Sequence, residues 1–273
     1  MNRFVRALRL PLAVTALTAA ALTGCSGSAP GSPDAGLADP AKKGIAMRLV
    51  SSAENSSLDW EAQYPYIEDI GDGRGYTAGI IGFCSGTGDM RSVVERYAKA
   101  RPGNPLERFL PALRAVEGSD SHAGLGEPFT KAWAKAAEDP AFRGAQDAER
   151  DASYFDPAVE QARKDGLGAL GQFIYYDAYV MHGAGDTEGS VGFRTMRGEA
   201  LAAATPPARG GDEKAYLNAF LDARVAAIGR ETSHTDTSRV ESAQRVFVRE
   251  GKLRLETPLR WKVYGDSYRI DEA

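Results

Sequence analysis

The first strongly patterned segment of the chain is a predicted helix that begins at Asp39-Pro40 and ends at Glu54. Aspartate is a preferred N-cap residue, and proline is favoured at the first helical position because its missing N–H has no partner there. Apolar residues then recur every four positions and define one buried stripe: Ile45, Leu49 and Ala53. We therefore expect Glu54 to close a helix that packs against a core.

The pattern changes after this helix. From Tyr64 to Phe83, short β-prone runs alternate with glycines and predict a small antiparallel sheet or hairpin. Helical patterns return over four short segments: 91–100, 105–116, 130–137 and 141–153. The tail, Val246–Tyr268, alternates apolar and charged residues and predicts a short hairpin followed by extended chain. Together these segments predict an α+β, mainly α-helical fold.

Two longer helices each carry a charge within an apolar stripe. The first is predicted over residues 156–181, with Asp177 in line with its buried positions; the second, Asp212–Ile228, carries Arg224 in the same way. A lone carboxylate in a protein interior is very unfavourable unless a cation lies beside it. We therefore predict that Asp177 and Arg224 meet in the interior, with Arg239 as a second donor. The alternative is that a helix end or a rotation leaves one of them in solvent.

The N-terminal residues 1–25 are typical of a secretory signal peptide, because three arginines precede the apolar run Leu10–Leu22 and a small-residue site. The run is too short for a membrane-spanning helix, which needs roughly 18 or more apolar residues. Residues 22–25, Leu-Thr-Gly-Cys, also resemble a bacterial lipobox, in which Cys25 is lipidated and tethers the chain to the outer face of the membrane. The alternative is ordinary cleavage near Ala29 or Ala35 and full release.

Residues 26–37 are rich in Ser, Gly and Pro and predict a flexible linker, which leaves 38–273 as the folded domain. Removing the signal peptide takes away three arginines and no acids, so the net charge moves from −4 to −7. Nucleic-acid binding is dominated by cationic contacts to phosphate, so we expect no nucleic-acid partner and favour a cationic one.

The end of the first helix and the glycine-rich turn after it each carry an acid. Glu54 lies at the electronegative helix C-terminus beside the buried face, where partial desolvation disfavours its charged form and suits a general acid. Asp72 lies between Gly71 and Gly73, and Arg74 favours its ionised form, which suits a base. Two carboxylates with opposed environments are what hydrolysis of a glycosidic bond needs. The alternatives are a solvated helix-end Glu and an ordinary turn-forming Asp; a calcium loop does not match the spacing.

No other chemistry competes in the sequence. His122, His182 and His234 lack metal-ligand spacing, and the glycine-rich turn lacks both the phosphate-loop and the dinucleotide patterns. Cys84 has no histidine nearby in sequence and is expected to be a buried small residue. We therefore expect neither a metal nor a cofactor.

The sequence around both acids closely resembles the bacterial, actinomycete-type chitosanases of glycoside hydrolase family 46. The resemblance is carried by Ser51–Trp60 and Tyr66–Thr77, and it continues over essentially the whole mature chain. The further matching motifs are Gly82–Asp89, Gly124–Gly126, Ala169–Phe173, Tyr175–Ala178, Tyr216–Asn218, Phe220–Arg224 and Asp236–Val240.

The resemblance implies an inverting endo-hydrolase of the β-1,4 bonds of chitosan, on a lysozyme-like fold of two lobes around one cleft with the small sheet beside it. Glu54 is then the general acid and Asp72 the general base, while Thr77 helps to hold the attacking water. The family also implies a structural interaction among Asp177, Arg224 and Arg239. Six further positions match its substrate cleft: Asn55, Tyr66, Arg74, Asp89, Glu231 and Asp236.

Among these six, Asp89 has a clear physical role, because a carboxylate in the cleft selects the ammonium of glucosamine over the neutral N-acetyl form. The expected partner is therefore chitosan or its oligosaccharides, bound by an extracellular and monomeric enzyme. Two alternatives are a muramidase acting on peptidoglycan, which the acidic charge disfavours, and a sugar-binding lipoprotein that has lost catalysis.

Overall fold

The computed structural model describes residues 35–187, 189–231 and 235–272. The predicted signal peptide, Cys25, residues 26–34 of the predicted linker and His234 lie outside the described residues. Gly36–Ala38 forms a short 3-10 helix, and the side chain of Leu37 within it is fully buried. The backbone N–H of Leu37 donates a hydrogen bond to Gln172 Oε1 at 2.8 Å. The last residues of the predicted linker are therefore part of the folded unit.

Helix α1 spans Pro40–Glu54, as predicted. The carboxylate of Asp39 accepts hydrogen bonds from the backbone N–H groups of Ala41 and Lys42 at 2.9 and 3.0 Å, which is the expected N-cap. The predicted stripe is buried: Ile45, Leu49 and Ala53. This packing holds the C-terminal end of α1, and Glu54 with it, against the core.

A three-stranded antiparallel sheet follows, as predicted, in the order β1 (Ile67–Asp69), β2 (Tyr76–Ala78) and β3 (Phe83–Cys84). Its register places Thr77 of β2 between Glu68 of β1 and Cys84 of β3. The loop between β1 and β2 contains glycines at 71, 73 and 75, each with a positive φ that other residues rarely adopt. The turn that carries Asp72 is thus built on glycine.

The helices after the sheet differ in part from the prediction. They are α2 (Asp89–Ala100), α3 (Leu110–Val116), α4 (Gly126–Ala136), α5 (Pro140–Arg150), α6 (Asp156–Lys164), α7 (Ala169–His182), α8 (Phe193–Ala203), α9 (Glu213–Ile228) and α10 (Arg245–Glu250). The single helix predicted over 156–181 is wrong: the chain breaks between α6 and α7, where Gly166 adopts a φ of 80°. Helix α8 is not predicted by the sequence pattern.

The C-terminal tail contains a hairpin, formed by β4 (Leu259–Val263) and β5 (Asp266–Ile270), but it lies at the end of the tail, where the sequence pattern predicts extended chain. Residues 246–250, predicted as part of the alternating tail, are instead helical, as part of α10. Phe247 and Val248 are both buried there, and the ring of Phe247 packs against Trp261 at 6.0 Å between centroids. Tertiary packing outweighs local β propensity at this position.

Helix α7 lies at the centre of the fold, with nearly all of its side chains buried. The C-terminal hairpin packs against the last turn of α1, where Trp261 Nε1 donates to Ser52 Oγ at 3.0 Å. Among the described residues, no helix combines the length and the apolar character needed to cross a bilayer.

Candidate active site

Glu54 is the last residue of α1, and it has a charged partner that the sequence does not predict. Its Oε1 forms an ion pair with Arg239 Nη2 at 2.6 Å, and the Glu54 side chain is 25% exposed. The helix end and the partly buried face that the sequence predicts for Glu54 are therefore joined by a guanidinium in direct contact with its carboxylate. The contact also fixes one oxygen of Glu54 in space.

Arg239 connects Glu54 to a buried ion cluster, defined here as Asp177, Arg224, Arg239 and Gln244. The Asp177 side chain is 1% exposed, and its carboxylate accepts hydrogen bonds from Arg224 Nη1 at 2.6 Å and from Arg239 Nη2 at 2.8 Å. Burial alone would raise the pKa of Asp177, but the charges of Arg239 and Arg224 outweigh it and hold that pKa well below its usual range. The pairing of Asp177 with Arg224, and the second donor Arg239, are as the helical stripes predict.

Gln244 completes this ion cluster and is a residue that the sequence does not single out. Its Nε2 donates to Asp177 Oδ2 at 2.6 Å, while its Oε1 accepts from Arg224 Nη1 at 2.9 Å. A buried amide can both donate and accept, so Gln244 forms hydrogen bonds with the anion Asp177 and the cation Arg224 at the same time. The cluster therefore holds a network of hydrogen bonds in place of a bare ion pair.

Asp72 lies in the loop between β1 and β2 with its side chain 7% exposed. Its Oδ1 accepts a hydrogen bond from the Arg74 backbone N–H at 3.1 Å, and its Oδ2 accepts from Arg74 Nε at 2.8 Å. These charge-assisted contacts favour the ionised carboxylate, as a general base requires.

Arg74 lies within electrostatic reach of both acids. Burial opposes its charge, but Cys84, Asp72 and Glu54 together hold its pKa above the ordinary value. The charges of Glu54 and Asp72 therefore both act on this one guanidinium.

Thr77 lies in the middle of β2 and is buried, with its Oγ1 3.5 Å from Cys84 Sγ. Burial raises the pKa of the Cys84 thiol to about 11, although Arg74 opposes the shift. Cys84 is therefore a neutral, buried thiol, as expected, and no nucleophile. The hydroxyl of Thr77 is fixed by the register of the sheet on the strand that follows the Asp72 loop.

Asp89 begins helix α2, and four donors hold its carboxylate, an environment that the sequence does not predict. Oδ1 accepts from the backbone N–H of Cys84 at 2.8 Å, and Oδ2 accepts from the Tyr154 hydroxyl at 2.6 Å. The remaining donors to Oδ1 are Thr87 Oγ1 and the backbone N–H of Met90. Burial raises the pKa of Asp89, while the hydrogen bond from Tyr154 opposes that shift.

The four other predicted substrate-binding residues lie on different segments. Asn55 Nδ2 donates to Ser51 Oγ at 3.4 Å, and the Tyr66 hydroxyl donates to Glu68 Oε2 at 3.4 Å. Asp236 is exposed and accepts a hydrogen bond from the Ser238 backbone N–H at 2.7 Å. Glu231 Oε1 lies 3.1 Å from His182 Nδ1, at the far side of the buried ion cluster.

Tyr264 is a further residue near Glu54 that sequence reasoning misses. It lies at the turn of the β4–β5 hairpin with a φ of 52°, and it remains 48% exposed. Its backbone N–H donates to Ser238 Oγ at 2.8 Å, next to Arg239 in the chain. Burial raises its pKa; Arg239 opposes this shift and Glu54 adds to it. The available signal is the Tyr-Gly pair at a hairpin turn where Asn-Gly is preferred.

Comparison with known proteins identifies the family. The profile of glycosyl hydrolase family 46 matches residues 48–259. A chitosanase from Streptomyces sp. (strain N174) is 64% identical over 237 residues, covering 87% of this chain and 84% of the relative. The fold of this chain is mainly helical and lysozyme-like, and it also resembles the folds of solved chitosanases.

Solved complexes are among those structures. The co-crystal structure of chitosanase OU01 with substrate has a TM-score of 0.84 and 58% identity, covering 88% of this chain and all (100%) of that one. A family 46 chitosanase from Gynuella sunshinyii in complex with chitotetraose has a TM-score of 0.77 and 34% identity, covering 85% of this chain and 98% of that one. Both the sequence family and the predicted fold class are thereby confirmed, and the chain belongs to glycosyl hydrolase family 46.

Proposed function

We propose that this protein is an endo-acting chitosanase that cleaves β-1,4 bonds between glucosamine units with inversion, using Glu54 as general acid and Asp72 as general base. The observation that carries the proposal is a pair of carboxylates each held by an arginine: Glu54 by Arg239 at a helix end, and Asp72 by Arg74 on a glycine turn. The high identity to a chitosanase over most of both chains supports the substrate class.

The contacts of Glu54 suggest how it acts as an acid. Arg239 holds Oε1, so a protonated Glu54 keeps this contact through Oε1 and carries its proton on Oε2. That proton passes to the glycosidic oxygen as the bond to the anomeric carbon breaks. The leaving sugar departs with a free hydroxyl, and Glu54 becomes a carboxylate that Arg239 stabilises.

Asp72 acts in the same displacement, from the opposite face of the sugar. A water molecule, held by Thr77, attacks the anomeric carbon and gives one proton to Asp72. The new hydroxyl has the opposite configuration to the broken bond, and exchange of protons with solvent returns both acids to their starting states. An inverting enzyme requires a separation of roughly 6.5–9.5 Å between its carboxyl groups to admit this water.

Binding of the sugar chain is assigned to Asn55, Tyr66, Arg74, Asp89, Glu231 and Asp236. Asp89 and Glu231 supply negative charge for the ammonium groups, and the net charge of the mature chain favours encounter with a polycation. We further propose that the enzyme is extracellular and monomeric, and that it is either anchored through a lipidated Cys25 or released by ordinary cleavage. Intact mass of the mature protein tests the anchor, because diacylglycerol on Cys25 adds a defined mass that simple cleavage lacks.

Proton NMR of the products formed from a glucosamine hexamer is the decisive experiment. Initial release of the α-anomer is expected, since inversion of a β bond gives an α product. Initial β-anomer would refute both inversion and the role of Asp72. Glu54→Gln is expected to abolish turnover while leaving hexamer binding, and activity on peptidoglycan alone would overturn the substrate class.

A further inference from the structure

The buried ion cluster extends past Arg224 to a histidine that no part of the mechanism above uses. Arg224 Nε lies 3.4 Å from His182 Nε2, and His182 Nδ1 lies 3.1 Å from Glu231 Oε1. His182 is the last residue of α7, and its side chain is completely buried (0% exposed). A continuous series of polar contacts thus joins Glu54, through Arg239, Asp177 and Arg224, to Glu231.

The partners of His182 determine which ring nitrogen carries the proton. A guanidinium only donates, so Nε2 must accept from Arg224 and the hydrogen must lie on Nδ1. Burial lowers the pKa of His182 to about 3, and the nearby charges of Arg224 and Arg239 contribute while Asp177 opposes them. His182 is therefore neutral at any pH near 7, and its contact with Glu231 is a hydrogen bond to a carboxylate, not an ion pair.

Glu231 is held in place by neutral donors. The side chain of Glu231 is 11% exposed, and its Oε1 also accepts from Ser190 Oγ at 3.2 Å. Among the described residues, no lysine or arginine forms an ion pair with Glu231. His182 and Ser190 therefore fix the direction of this carboxylate without cancelling its charge, in contrast to Arg74 at Asp72 and Arg239 at Glu54.

We propose that His182 is a positioning residue that orients Glu231 toward an ammonium group of bound glucosamine while leaving its negative charge uncompensated. The inference rests on the proposed function, since it requires a cationic sugar in the cleft. One ion cluster then orients two acids for different tasks: Arg239 fixes Glu54 for proton transfer, and the path from Arg224 through His182 fixes Glu231 for binding.

A double-mutant cycle tests this role on hydrolysis of a glucosamine hexamer. His182→Phe removes the donor and keeps a ring, so KM is expected to rise about tenfold or more with kcat changed little, the effect of losing a hydrogen bond to a charged group. Glu231→Gln is expected to raise KM as well. If His182 acts only through Glu231, the double variant has the KM of Glu231→Gln alone.

A matched control separates positioning from general loss of stability. Tyr97→Phe also removes a hydrogen bond of a buried side chain, the partly buried contact from the Tyr97 hydroxyl to Asp139 at 3.0 Å, in a helix outside the site. It is expected to change melting temperature without changing KM. His182→Gln retains an amide donor and should recover part of the affinity that His182→Phe loses. An unchanged KM in His182→Phe, or effects of the two single variants that multiply in the double variant, would overturn the proposal.

Nitrogen NMR of the wild-type protein gives a readout that needs no substitution at His182. The ring is expected as the Nδ1–H tautomer and to show no titration between about pH 5 and 8, despite the charges of Glu231, Asp177, Arg224 and Arg239 around it. Binding of the hexamer to Glu54→Gln should shift its Nδ1 resonance. An Nε2–H tautomer or a titrating ring refutes the role of His182, whereas a wild-type enzyme inactive on the hexamer refutes the proposed function itself.

Discussion

Asp177→Asn is the substitution that tests the buried ion cluster most directly. It keeps the shape of the side chain but removes the negative charge that Arg224 and Arg239 share. The new amide also places an N–H donor where the carboxylate accepted from three side chains: Arg224, Arg239 and Gln244. Arg224 is then left in the interior without its carboxylate partner, and Arg239 keeps only its contact with Glu54.

The expected cost follows from this burial. Removing one partner of a buried ion pair costs about 3–5 kcal/mol, because an uncompensated charge remains in the interior. For a domain of this size, each kcal/mol shifts Tm by about 2–4 °C, so a fall of roughly 6–20 °C is expected. Activity should fall as well at temperatures where the variant is still folded, because Arg239 loses the partner that orients it toward Glu54.

Thermal unfolding by circular dichroism, with urea unfolding for the free energy, measures the change. Asp222→Asn is the matched control, since Asp222 pairs with Arg245 at 2.8 Å but is 71% exposed. Exposed pairs contribute about 0–1 kcal/mol, so this variant should differ little from the wild type. A loss below about 1 kcal/mol in Asp177→Asn would show that the cluster does not stabilise the fold and would refute the reasoning.

The difference in stability between the wild type and Asp177→Asn should also depend on pH. The pKa of Asp177 in the folded protein lies below its unfolded value, which is about 3.9. A lowered carboxyl pKa contributes stability that is complete above the unfolded pKa and is lost as pH falls toward the folded pKa. The difference in unfolding free energy between the wild type and Asp177→Asn should therefore be constant from about pH 7 to 5 and shrink below about pH 4.

Three smaller predictions concern two residues near the site and one residue in the N-terminal 3-10 helix. Tyr154→Phe removes a donor that opposes the raised pKa of Asp89, so the acidic limit of substrate binding should move to higher pH in a profile of KM. Tyr264→Asn relieves the positive φ at a turn where asparagine is preferred and should stabilise the protein by about 1 kcal/mol in urea unfolding. Leu37→Ala should cost about 2–5 kcal/mol in urea unfolding, because a fully buried leucine leaves a cavity.

Each of these predictions has an outcome that contradicts it. An unchanged pH profile in Tyr154→Phe would mean that Asp89 does not titrate with binding. A less stable Tyr264→Asn would show that the tyrosine ring supports the hairpin by packing. A Leu37→Ala variant as stable as the wild type would show that the N-terminal 3-10 helix contributes nothing to the folded unit.

Local chemistry in the sequence determines several parts of this protein. The Asp-Pro cap and the stripe of apolar residues are sufficient to place Glu54 at the end of α1, and the glycines around Asp72 are sufficient to predict its turn. The pairing of Asp177 with Arg224 follows from burial, because a charge within an apolar stripe must find a partner. These predictions depend on interactions within a few residues or on a rule that any interior obeys.

Only the tertiary structure decides what surrounds each acid. Arg239 is far from Glu54 in the chain, yet their contact replaces the isolated acid that the helix end alone suggests. Likewise, His182 meets Glu231 only because the ends of α7 and α9 are brought together by packing. The direction of a side chain and the charge beside it depend on how distant helices pack, and no local pattern of residues contains that information.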